Sequence, residues 1–269
     1  MSDPNDDTKA AAVGELIRAT RDNPDVQEAG RKLGKAAHTI AKTIDNALLP
    51  LAAVNFAFDK ARAYFAGAFQ ADLSKKAEAI PPENVVEPKA SIAGPALQGL
   101  AFTHEEPNLK ELYLSLITTA MDGRKAFEAH PAFVEIIKQL TSEEASILRS
   151  LLHSENSIAL VEVRMTTLGE QGWRMLARHL CNLSDESGKP VEMPTASAMI
   201  DNWIRLGLAE VNYDKFLIGD NAYKWVEERP EYKRLRESHE NEKVKILFQR
   251  GIMTRTALGA QFARAVGLV

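Results

Sequence analysis

Cysteine is the scarcest chemistry in this chain: 269 residues hold only Cys181. A disulfide framework is thereby excluded, and a four-ligand zinc site would have to rest on histidines and carboxylates. Such usage fits a reducing cytoplasm, which is the expected location. Excess positive charge is also missing. The formal net charge is -4, so the chain lacks the basic footprint of a bulk nucleic-acid binder, though not a local basic patch. The acidic opening, residues 1–9, lacks the basic and apolar regions of a secretory signal and reads as a disordered tail. Long apolar runs are absent too. The richest stretch, Leu48–Phe69, is broken by Pro50, Asn55, Asp59, Lys60 and Arg62. It is too interrupted to span a bilayer and reads as a half-buried core helix; contact with a membrane surface through 46–70 is the weaker alternative.

Catalytic motifs are missing as well. There is no phosphate-binding loop, no dinucleotide fingerprint and no nucleophile elbow. The six histidines are scattered, with no pair at the spacing of a zinc-binding helix face. Cys181 lies two residues from His179 at the end of an expected helix, where the two side chains do not face each other. A buried thiol is the preferred reading. The pairs Glu105-Glu106 and Glu143-Glu144 stand at helix starts, where negative charge suits the backbone dipole. The expected chain is therefore not an enzyme and takes no cofactor.

What is present is helical periodicity. Val26, Leu33, Ala37, Ile40, Ile44 and Leu48 mark one amphipathic stripe, ended by Pro50. Val54, Phe58, Ala61, Phe65 and Leu73 mark a second, which pairs with the first as a hairpin and carries an aromatic-rich region placed in the core. Ile80–Pro88 is a proline-punctuated connection, and a short helix is expected from Gly94-Pro95. Pro107 opens the clearest helix, with Gly123 as its left-handed cap. His130-Pro131 starts another, and Thr141-Ser142-Glu143-Glu144 is a capping box.

After His153 the pattern changes. Ile158–Met165 reads as strand, Trp173–Leu180 as helix, and Thr195–Leu206 as helix stopped by Gly207. Leu208–Tyr213 reads as strand, Val244–Thr254 as a strand bent at Gly251, and Thr256–Val266 as a helix holding Leu258, Phe262 and Val266. The expected fold is mainly α: an N-terminal long-helix hairpin and helical bundle, then a winged-helix-like α+β module with a small β-sheet. The expected domains are 10–140 and 141–269, the second with a charged helical insertion at 218–242. Its recognition helix, 195–206, carries Arg205 but also Asp201 and no lysine, which is poor for phosphate neutralisation.

The segment His130–Leu140 is compact and patterned. Its preferred reading is structural: Pro131 fixes the start and Phe133 docks the helix. The functional alternative has Asp122, Arg124 and His130 lining a polar junction between helical layers. With Pro131 and Phe133 these are the candidate interaction positions.

Residues 71–152 resemble the Abi-alpha (abortive infection alpha) family. The matching pieces are Leu73 through Pro81–Pro88, Ser91–Leu97, Leu109–Leu116 into Met121-Asp122, and His130–Ala145. Gly251–Phe262 is similar to the family's closing threonine-glycine-phenylalanine pattern. The resemblance implies phage defence in which the infected cell halts growth or dies, and implies no catalytic residues. The leading expectation is a non-enzymatic defence protein that binds a host or phage protein. A winged-helix DNA-binding regulator and a membrane-acting effector using 46–70 are the alternatives.

Overall fold

The computed structural model describes Ile44 and residues 55–153, 156–185, 187–219 and 221–269, with side chains from Asp59 onward in the first long stretch. The tail and most of the first expected helix lie outside the described residues. Among the described residues no helix is long and apolar enough to cross a membrane. The chain divides into two compact units: residues 1–145 with 264–267, and residues 146–263 with 268–269.

The first unit is built of helices. Helices α1 (Asn55–Ala66) and α2 (Ala68–Ala77) replace the single second helix expected from the apolar spacing, because Gly67 leaves helical geometry with φ -122° and ψ -88°. Of the aromatic stretch, Tyr64 and Phe69 are core as expected, buried and edge to face with centroids 6.0 Å apart, while Phe65 is half-buried and the side chains of Phe56 and Phe58 lie outside the described residues. Helix α3 (Ala90–Thr103) starts five residues before Pro95, which lies inside it rather than at its opening.

Helix α4 (Pro107–Met121) opens on its proline, and its buried residues include Leu109, Leu112, Tyr113, Leu116, Ile117 and Ala120. Its end is not the expected glycine cap. Asp122 closes it in extended geometry, and Gly123 does not take the left-handed conformation. The proline-rich connection reaches this corner. Val86 N–H donates to Met121 O at 2.9 Å and Gly123 N–H to Asn84 O at 2.8 Å. A Cβ on Gly123 would sit 3.0 Å from Val86 Cγ1 and 3.1 Å from Asn84 O, so the glycine serves close approach, not a positive φ.

Helix α5 (Pro131–Ile137) buries Phe133, Val134, Ile136 and Ile137. Helix α6 (Ser142–His153) begins on the expected capping box. Glu144 N–H donates to Thr141 Oγ1 at 3.1 Å, and Thr141 N–H donates to Glu144 Oε2 at 2.8 Å.

The second unit centres on an antiparallel sheet of β1 (Ile158–Thr167), β2 (Arg174–Cys181), β3 (Ala209–Asn212) and β4 (Val244–Arg255), in the order β2-β1-β4-β3. The mainly α expectation is thus corrected to α+β, and the winged-helix-like order is not met. The helix expected over Trp173–Leu180 is strand β2, which leaves one helix, α7 (Ala196–Arg205), where a winged helix needs two. The cause is a pair of register shifts between β1 and β2, at Val161/Val163 and Val163/Arg164. These bulges break the two-residue alternation, so Leu176, Ala177 and Leu180 all pack on one core face and imitate helical spacing. Trp173, at the start of the expected helix, is exposed beneath Arg164, whose guanidinium lies 3.9 Å from the ring centroid.

Helix α7 runs as expected, with Met199, Ile200 and Trp203 inward, and Gly207 follows it at φ 73°. The charged segment 218–242 forms a short 3-10 turn at Lys224–Glu228 and helix α8 (Pro230–His239). It is more than an insertion: Tyr223, Val226 and Tyr232 close the core over Val161, Val163 and Ile246. Strand β4 pairs with β1 along its length. Gly251 on it admits Tyr213, whose Cδ1 would stand 2.5 Å from a Cβ. Helix α9 (Ala257–Ala265) buries Phe262 and leaves Leu258 exposed.

Candidate functional site

The positions singled out from sequence lie in the first unit, and the structure gives them separate tasks. Asp122 is buried and takes three donors from Arg124: the backbone N–H at 3.0 Å, Nε at 2.8 Å and Nη2 at 2.6 Å. Arg124 holds the Asp122 carboxyl below the usual carboxylate range, against the opposing effect of desolvation. Arg124 also donates to Ala79 O at 3.3 Å, fastening the proline-rich connection. His130 takes a different partner. Its Nδ1 accepts from Ala132 N–H at 3.1 Å, capping α5, while Pro131 occupies the first helical turn and Phe133 is fully buried. Asp122 and Arg124 come together; His130 does not join them.

The second unit holds a set of residues that the sequence did not point to. Strand β2 ends the sheet, and every residue from Met175 to Cys181 lines a groove of about 500 Å³. Glu192–Pro194, Ala196 and Ser197 form the facing wall with Arg229, Glu231 and Arg234.

Arg229 anchors that wall. The following Pro230 keeps it extended, at φ -64° and ψ 128°, and only 1% of it is exposed. It donates to Leu183 O at 2.6 Å, to Val191 O at 2.8 Å and to both oxygens of Glu231, at 3.0 and 2.5 Å. One buried guanidinium therefore pins both ends of the 183–191 loop, with its charge answered by Glu231. At the rim, Arg234 makes a two-pronged pair with Glu192, both bonds at 2.6 Å. Among the described residues, Arg178, exposed on β2, is the lining arginine outside these two pairs.

His179 pins the other wall. It is the non-glycine residue with positive φ among the described residues, at 53°, and is 2% exposed. Such a backbone is costly, so its surroundings must hold it. Tyr213 does so twice: its hydroxyl accepts from His179 N–H at 3.2 Å and lies 2.9 Å from Nδ1. Nε2 lies 3.2 Å from Asp201 Oδ1. Burial lowers the His179 pKa, although Asp201 opposes it. A neutral ring fits all contacts: Nε2–H donates to Asp201, and Nδ1 accepts from the Tyr213 hydroxyl, whose own ionisation burial has pushed up to about 12. A carboxylate, an imidazole and a phenol in line have the outward form of a general acid–base relay. In the fold the arrangement ties the end of β2 to Asp201 of α7 and to Tyr213. Cys181, at the floor, is buried as expected, and burial pushes its thiol up to about 12, which removes it as a nucleophile near neutral pH. Among the described residues no histidine, cysteine and carboxylate group could hold a metal ion.

The family model for abortive infection alpha matches residues 61–266. The chain belongs to the abortive infection alpha family. No curated protein and no solved structure matches it. The family's reach is wider than the 71–152 resemblance, since the match takes in residues of both units, including β2, His179, Tyr213 and Arg229. Those abortive infection alpha residues are invisible in sequence because their partners are remote: 22 residues from His179 to Asp201, 34 to Tyr213, and 46 from Arg229 to Leu183. Arg229 also sits in a mixed-charge stretch that reads as a solvated helix.

Proposed function

We propose that this abortive infection alpha protein takes part in phage defence as a non-enzymatic binder, receiving an extended segment of a host or phage protein along the open edge of β2. The family membership supports the defence role. The observation that carries the binding mode is the groove beside β2. A terminal strand offers backbone N–H and C=O groups for pairing, and a groove alongside it gives the added strand's side chains somewhere to go. The Arg229 and His179 contacts hold both walls in place, so little ordering cost falls on binding. Among the described lining residues Arg178 is the arginine beyond the matched pairs, so the incoming segment carries an acidic residue opposite it.

The test is plaque formation on cells expressing the wild-type chain, Arg178→Glu or an empty vector. Wild type lowers plating and Arg178→Glu restores most of it, with an unchanged melting curve for the purified variant. Equal protection by both chains removes the groove from the mechanism. No protection by the wild type against any phage tested removes the defence role. Nucleotide or nucleic-acid hydrolysis by the pure protein, abolished by a point mutation, overturns the non-enzymatic reading.

A further inference from the structure

The two faces of the sheet differ. Partners across β1 and β4 point their side chains to one side, so Val163 with Phe248 and Met165 with Ile246 face the core. The intervening pairs, Glu162 with Gln249, Arg164 with Leu247 and Thr166 with Lys245, face the other way. That second face is buried at Leu160 and Met253 and open at its other end. Leu247 is 54% exposed there, the Lys245 side chain 60% and Trp173 49%. Tryptophan and leucine flank Arg164 and leave apolar surface in water. The ring is firmly mounted. It lies on the Arg164 guanidinium, whose Nε donates to Glu162 at 2.6 Å and Nη1 to Gln249 Oε1 at 3.3 Å. Gln249 Nε2 in turn donates to Tyr213 O at 2.9 Å. Charge also gathers here. The four strands carry Arg164, Arg174, Arg178, Lys245, Arg250 and Arg255 against Glu162 and Glu210, in a chain whose net charge is -4. Acidic residues at this end stand outside the strands: Glu170 in the hairpin turn, Glu242 ahead of β4, and Glu240, which pairs with Arg236 at 2.7 Å and lies 3.8 Å from Lys245. An aromatic ring held flat by a guanidinium, with cations beside it, suits a nucleobase on the ring and phosphates on the cations. A duplex hides its base faces, so the fit is to a single strand.

We propose that the open half of this sheet face binds a single-stranded nucleic acid, one base stacking on Trp173 and the neighbouring phosphates meeting Lys245 and Arg174. The site does not rest on the groove reading and makes no use of α7, the helix expected from sequence to meet DNA.

The experiment titrates the full chain with oligouridylate and oligothymidylate of about eight nucleotides, reading tryptophan emission and affinity at rising salt. At least one strand quenches the emission, and its affinity falls as salt rises. Trp173→Ala removes the quench and weakens binding about five- to hundredfold, as expected for one stacked base. Trp173→Phe loses the quench but keeps most of the affinity, because a ring remains to stack. Lys245→Ala lowers the slope of log affinity against log salt by about 0.7, one phosphate contact on a single strand. Both side chains are exposed, so the variants keep the fold, and the quench of the wild type is a readout that needs no variant. No response to either strand at low salt overturns the site. Equal affinity for duplex DNA or for poly-glutamate reduces it to a bare polyanion patch and overturns the stacking. Unchanged affinity in Trp173→Ala overturns the placement on this face.

Discussion

The two units tie their buried polar groups differently. In the first, Asp122 and Glu144 find side-chain partners within three residues, at Arg124 and at Thr141. In the second, Glu162 and Arg229 also have charge partners two residues on, at Arg164 and Glu231, but His179 and Arg229 reach further, 34 and 46 residues along the chain, to Tyr213 and Leu183. Local pairing finishes a helix end. Remote pairing fixes two separate stretches of chain against each other, which is what a groove with stable walls requires. The contrast separates a scaffold of capped helices from a unit whose polar interior serves a surface.

The three tryptophans, Trp173, Trp203 and Trp225, all fall in the second unit, so their emission reports on it alone, while helical dichroism reports on both. Removing Phe133, fully buried in the first unit, as Phe133→Ala is expected to cost about 3–5 kcal/mol. The dichroism midpoint in urea moves more than the tryptophan midpoint. Equal movement means that the chain unfolds as one body and breaks the comparison. Arg229→Met strands Glu231 and two carbonyls, with a loss of similar size, about 3–5 kcal/mol, seen first in tryptophan emission.

Gly251→Ala drives a methyl into Tyr213 and is expected to cost about 1–3 kcal/mol in the second unit. Thr141→Ala removes a cap that only local partners share, at about 1 kcal/mol, read in the dichroism transition.

The smallest effect is a pH slope. Burial depresses the pKa of His179 below its ordinary value of 6.5, so below that pH the unfolded chain binds more protons than the folded one. Stability of the second unit therefore falls as pH drops from about 6.5 toward the depressed folded value, and is flat above it. Denaturation midpoints across that range check this, and His179→Gln flattens the slope.

The same contrast governs what is legible in the sequence. Helices α4, α5 and α6 are legible because proline, capping box and apolar spacing act within a few residues. Strand β1 and helix α7 are legible for the same reason. Strand β2 is not, because bulges opposite Val163 give Leu176, Ala177 and Leu180 a helical rhythm, and a bulge is a property of two strands together. Gly123 has the look of a cap although it serves an approach by Val86 and Asn84, which lie far back in the sequence. Of the candidate site, Cys181 is legible as a buried thiol. His179 gives no sign of its backbone, since a positive φ at histidine leaves no mark in composition or spacing.

The division of the chain has one more implication. The first unit includes residues 264–267, which follow the whole run 146–263. On the ribosome, that unit is still missing a piece when residues 146–263 have already been made. The sheet unit, though continuous from 146 to 263, likewise lacks residues 268–269 at that point, so neither unit is whole until 264–269 are made. A ribosome stall between 145 and 264 thus leaves both units unfinished, so closure of each waits on residues 264–269.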